Sequence, residues 1–150
     1  LEGLTPFPSP HTPASASSGQ GFGLSQAERR AVELRAMRVA RSLYEQNGWD
    51  VVDMSASQPY DLLATRGAEA RYIEVKGTTG EGLSVILTHG EVNHVLNNKS
   101  SSALVVVSGI ALVNQGVELV AEGGVVTTHQ DPWQLSEERL SATQYRYEIR

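Results

Sequence analysis

The stretch SQAERRAVELRAMRVARSLYEQNG, residues 25–48, carries helical periodicity from a readable start to a readable stop, and the apolar runs after it are short. Ser25 and Glu28 have the spacing of a capping box, in which the serine side chain accepts from the N3 amide and the glutamate reaches back to the N-cap amide. Val32, Ala36, Val39, Ala40 and Leu43 then fall on one face, and Gly48 supplies the stop. About 22 residues at roughly 1.5 Å each make a rod of about 33 Å with one apolar stripe to cover. Since the following runs have strand length, a sheet must cover it, which constrains the chain to an α/β arrangement.

WDVVDM (49–54) and YDLLAT (60–65) read as short strands separated by the polar turn SASQP. ARYIEVKGTT (70–79) is a third, paired to the second as a hairpin through the Arg66–Gly67 turn, and LSVILT (83–88) is a fourth. Thr88 and Glu91 repeat the capping-box spacing ahead of a short helix, HGEVNHVLNNK. SALVVVSGIALV (102–113) is the most hydrophobic run and predicts a central strand. GVELVAEGGVVTTH (116–129) predicts strand, turn, strand, with Gly123-Gly124 as the turn. Asp131-Pro132 predicts an N-cap with proline at N1 of a short helical turn, and Tyr145, Tyr147 and Ile149 alternate as an edge strand would. The fold class expected is α/β, a mixed and mostly antiparallel sheet flanked by helices.

Residues 1–24 hold four of the six prolines, many small residues and a single charge, Glu2. They cannot bury enough apolar surface to offset ordering entropy, which predicts a disordered tail or linker followed by one domain over 25–150. There are no cysteines, so disulfides, cysteine metal sites and thiol nucleophiles are excluded, and any metal must sit on oxygen or imidazole. No apolar run approaches the ~20 residues that span a bilayer, and no secretory signal opens the chain, so a cytoplasmic location without membrane contact is expected. A start at Leu1 rather than Met suggests a piece of a longer polypeptide with further domains. The net charge of −5 argues against holding nucleic acid by bulk electrostatics, although a nuclease site is itself acidic and a partner domain could supply the grip.

Within the third strand, Glu74 and Lys76 interrupt an otherwise apolar stretch. Side chains two apart on a strand share a face, so these two point together while Ile73 and Val75 turn to the core. Hairpin pairing brings the preceding strand alongside, and its one acidic residue is Asp61. Two carboxylates offer hard oxygen ligands to a Mg²⁺-like ion, and a nearby ammonium can stabilise charge developing on a phosphoryl group.

Asp61 followed thirteen positions later by Glu74-Val75-Lys76 resembles the signature of the PD-(D/E)XK nuclease-like superfamily. The wider pattern, carried by AVELRAM, GWDVVDMSAS, PYDLLA, IEVKGTT, ILTHGEVNHV and ALVVVSGI, is similar to the C-terminal domain named after the plant protein NO VEIN, also found in restriction-associated proteins. The resemblance implies a restriction-endonuclease-like core, with Asp61 and Glu74 as ligands of Mg²⁺ or Mn²⁺ and Lys76 as the catalytic lysine. It also implies an assisting glutamate on the first helix. Glu33 best matches that position, and the alternative is a solvated side chain. DNA is the implied partner, and a homodimer is compatible with it. A nuclease-like module that binds without cutting is the second reading, and an exposed salt bridge worth at most about 1 kcal/mol is the third.

Other residues carry less. Arg30, Arg38 and Arg41 fall on the outer helix face, where solvation competes with phosphate contact. His89 and His94, five apart, diverge on a helix and cannot chelate one ion as an i, i+4 pair does. Glu91 is accounted for as a cap.

Overall fold

The computed structural model describes residues 23–144 and 147–149. Helix α1 (Gln26–Glu45) starts at the capping box: Ser25 Oγ accepts from the Glu28 amide at 3.1 Å, and Glu28 Oε1 accepts from the Ser25 amide at 3.0 Å. Strands β1 (Asp50–Asp53), β2 (Leu62–Arg66) and β3 (Glu69–Gly77) follow, then α2 (His89–Asn97), β4 (Ser102–Gln115), β5 (Glu118–Gln130) and a 3₁₀ turn at Glu137–Arg139. The strands lie in the order β1-β2-β3-β4-β5. Neighbours are antiparallel except β3 and β4, which run parallel and are joined through α2, as a parallel pair requires. The fold is therefore α/β with a mixed, mostly antiparallel sheet. Among the described residues no helix is long and apolar enough to cross a membrane.

The strand period of two sorts β3 and β4 between two cores. Ile73, Val75, Ala103, Val105 and Val107 bury against Val32, Ala36, Ala40 and Tyr44 of α1. Leu104 and Val106 turn the other way, to Val95 of α2 and Trp133. Because each core takes alternate side chains, β4 is buried on both faces over its first seven residues, from Ser102 to Ser108. Alanines on α1 meet a glycine on the sheet, so the layers approach closely: a Cβ on Gly77 would lie 2.7 Å from that of Ala36. Glu74 and Lys76 alternate with the α1-facing residues and so share the α2 face.

Four expectations are corrected. Residues 83–88 form no strand, because both edges of β3 and of β4 are already paired. Instead Val85 and Leu87 pack on the second core while Leu83 and Ile86 are exposed. The β4–β5 turn falls at Gly116–Val117, and Gly123-Gly124 lie inside β5. Gly124 has φ of +89° and backs onto Ile110 and Val107, whose Cγ1 atoms would stand 2.9 Å from an added Cβ, so close approach explains this glycine. Asp131-Pro132 is a cis peptide and caps no helix, since the Asp131 carboxylate is engaged by Arg71 and Tyr44. Tyr147 and Ile149 are exposed and in no strand, while Tyr145 lies outside the described residues. The tail expected over 1–24 also lies outside them, apart from Gly23 and Leu24.

Candidate active site

Asp61 stands just before β2, where the β2–β3 register, Leu62 opposite Ile73, extends by one residue to set Asp61 opposite Glu74. Its backbone is held on both sides: its amide donates to the Ile73 carbonyl at 3.0 Å, and its carbonyl accepts from the Met54 amide at 2.8 Å. Its Oδ2 accepts from the Val75 amide at 2.8 Å, which fixes the carboxylate against β3. Val75 itself points into the α1 core. Glu74 is 4% exposed, and its Oε1 lies 2.8 Å from Lys76 Nζ. Asp61, Glu74 and Lys76 thus converge as the register requires.

A fourth member comes from α2. Lys76 Nζ donates to Glu91 Oε2 at 3.1 Å, so the ammonium is clamped between two carboxylates. The same Glu91 oxygen accepts from the Thr88 amide at 2.9 Å, so capping and site membership coexist in one side chain. The capping-box spacing accounts for Glu91 by itself, and nothing else in the sequence marks it as a member of the site.

Glu33 is not brought to this cluster. It belongs to α1, which packs on the opposite sheet face, and it is exposed and ion-paired with Arg30 at 3.6 Å.

Three carboxylates around one ammonium, mostly out of water, make the site electrostatically unbalanced. Burial, then the charges of Asp61 and Glu91, push the Glu74 carboxyl up to about 8 against the opposing pull of Lys76. Burial also raises Asp61, opposed by the Val75 hydrogen bond and by Lys76. For Lys76, burial acts downward, but Glu74 and Glu91 outweigh it and the ammonium is held above its ordinary value.

A divalent cation would relieve this imbalance, and the donor chemistry suits it: besides the bonds to Val75 and Lys76, Asp61 and Glu74 bring their carboxyl oxygens into contact with each other. Among the described residues no group of three or more acidic or histidine side chains is placed to hold a metal ion. His94 is engaged instead with the rings of Tyr60 and Tyr72.

On the α1 face a separate polar network closes the sheet edge. Tyr44 donates to Asp131 Oδ2 at 2.9 Å, Arg71 pairs with Asp131, and the guanidinium groups of Arg66 and Arg71 lie 4.3 and 5.4 Å from the Trp49 ring. Tyr44 and Arg71 both bond Asp131, which ties α1 and β3 to the residue that follows β5.

Residues 32–119, more than half of the chain, match the family model described as Protein NO VEIN, C-terminal. No curated protein and no solved structure matches the chain.

Proposed function

The chain belongs to the NO VEIN C-terminal family, and from that premise we propose that it is a metal-dependent endonuclease domain that hydrolyses DNA phosphodiester bonds, in the cytoplasm, as part of a restriction or genome-defence protein. The observation that carries this reading is the convergence of Asp61, Glu74 and Lys76 on one face, with Glu74 buried, Asp61 half-buried and both carboxyls raised. Asp61 and Glu74 would hold Mg²⁺ or Mn²⁺. Such an ion supplies Lewis-acid polarisation of the phosphoryl group and a more acidic water.

The chain's own residues do the remaining work. Asp61 is held by the Val75 amide and by the Glu74 side chain, so its carboxyl group is pre-positioned. Lys76 stays protonated and supplies positive charge where phosphoryl oxygens gain negative charge. Glu91 orients Lys76 from the opposite side. Burial keeps water from screening these charges.

A second reading, a silent module that binds nucleic acid or a partner protein, is favoured by the double clamp on Lys76, which leaves its ammonium engaged without any substrate. Incubating the chain with supercoiled plasmid and Mg²⁺ or Mn²⁺ separates the two. Nicking that disappears in Asp61→Asn supports the endonuclease, and intact plasmid with every metal supports the silent module.

A further inference from the structure

Three rings stand beside the carboxylates, and core burial does not account for them. Tyr60, Tyr72 and His94 touch pairwise, with centroids 4.9 Å apart for Tyr60–Tyr72, 4.9 Å for Tyr60–His94 and 5.0 Å for Tyr72–His94. All three are half-buried, and none belongs to either apolar core, whereas Tyr44, Trp49 and Trp133 do.

Each ring is placed by the segment that also places an acid. Tyr60 immediately precedes Asp61. Tyr72 is two residues before Glu74, on the same face of β3 and about 6.6 Å along it. His94 follows Glu91 by three residues, close to one turn of α2. Lys76, near the end of β3, meets Glu91 in the first turn of α2, and Tyr72, four residues earlier on the strand, meets His94, three residues later on the helix. Charged and aromatic groups are therefore two ends of one strip.

Tyrosine and histidine rings combine π faces with polar rims, and nucleobases stack on rings of this kind. Stacking also answers the charge problem: a chain of net charge −5 has little electrostatic attraction for phosphates and needs another source of affinity. A base inside an intact duplex has no free face to offer, so the stacked base must be unpaired.

We propose that Tyr60, Tyr72 and His94 form a stacking platform for an unpaired base of the DNA strand whose phosphate lies at Asp61, Glu74 and Lys76, which directs the site to single-stranded or locally melted DNA. The inference rests on the phosphodiester reading of that site for the chemistry of its ligand. The rings bind and register the strand and take no part in bond breaking.

Fluorescence anisotropy with a labelled oligothymidylate tests it, using Ca²⁺ as the divalent ion, against the same strand made abasic and against a duplex of equal length. The single strand should bind more tightly than the duplex, and removing its bases should weaken binding by about 5- to 100-fold. Tyr60→Leu and Tyr72→Leu should weaken the natural strand similarly and leave the abasic strand nearly unchanged. The abasic comparison uses the unaltered protein, so misfolding of a variant cannot produce the result. Equal affinity for natural and abasic strands, or no binding of either, overturns the platform. Plasmid nicking that survives both ring substitutions, with unchanged strand affinity, removes the platform and leaves the endonuclease standing. Base-dependent binding without any nicking removes the endonuclease and leaves the platform.

Discussion

Replacing Glu74 by glutamine should flatten the pH dependence of stability. The carboxyl titrates at 4.5 when free and is pushed up to about 8 in the fold, burial being the largest cause. Between these values the native chain retains a proton that the unfolded chain has released, so stability falls as pH rises. The slope is about 1.4 kcal/mol per pH unit, and the whole window is worth about 4 to 5 kcal/mol. This contribution is fully present below the free value of 4.5 and lost as pH rises through about 8. Asp61, also raised, adds a slope of the same sign, while the raised Lys76 acts at higher pH. Glutamine keeps the shape and can still accept from Lys76, but it has no proton to lose. Urea unfolding in EDTA, from about pH 5 to about pH 8, should show the wild type losing several kcal/mol relative to Glu74→Gln. Parallel profiles would refute the reasoning and mean that the 2.8 Å pair with Lys76 keeps Glu74 ionised throughout.

Mg²⁺ or Mn²⁺ should raise the melting temperature of the wild type by binding the native state, and Asp61→Asn should lose that response; equal shifts in thermal melts of both would move the metal elsewhere. Gly77→Ala drives a Cβ to 2.7 Å from that of Ala36 and should cost about 1–3 kcal/mol in chemical denaturation. Asp131→Asn removes the charge that holds Arg71 and should cost about 1–3 kcal/mol in the same assay, at the lower end because Arg71 keeps Glu69 at 3.5 Å.

The parts of the fold legible in the sequence are those governed by local chemistry. The capping boxes at Ser25 and Thr88 fix both helix starts, and alternation within residues 70–77 assigns Ile73 and Val75 to the core and Glu74 and Lys76 to the other face. Hairpin register then delivers Asp61. What sequence reasoning misses depends on pairing partners far along the chain. Residues 83–88 have strand composition, but the strands β3 and β4 that flank them in sequence are already paired on both sides, and Gly124 is explained by Ile110 and Val107 rather than by a turn. Glu91 satisfies a local cap so well that its tertiary bond to Lys76 leaves no separate mark, and Asp131 is drawn from capping by Arg71 and Tyr44. Glu33 sits on the right helix by pattern, but that helix covers the other face of the sheet.

Lys76→Ala, with nicking and metal affinity measured on one preparation, tests most directly whether Lys76 acts on a phosphodiester bound through a metal ion at Asp61 and Glu74. Lysine offers no lone pair while protonated and is no ligand, so the substitution should abolish plasmid nicking while the protein still folds and binds Mg²⁺ or Mn²⁺. Nicking at the wild-type rate by Lys76→Ala would contradict the account and reduce Lys76 to a counter-ion for Glu74 and Glu91.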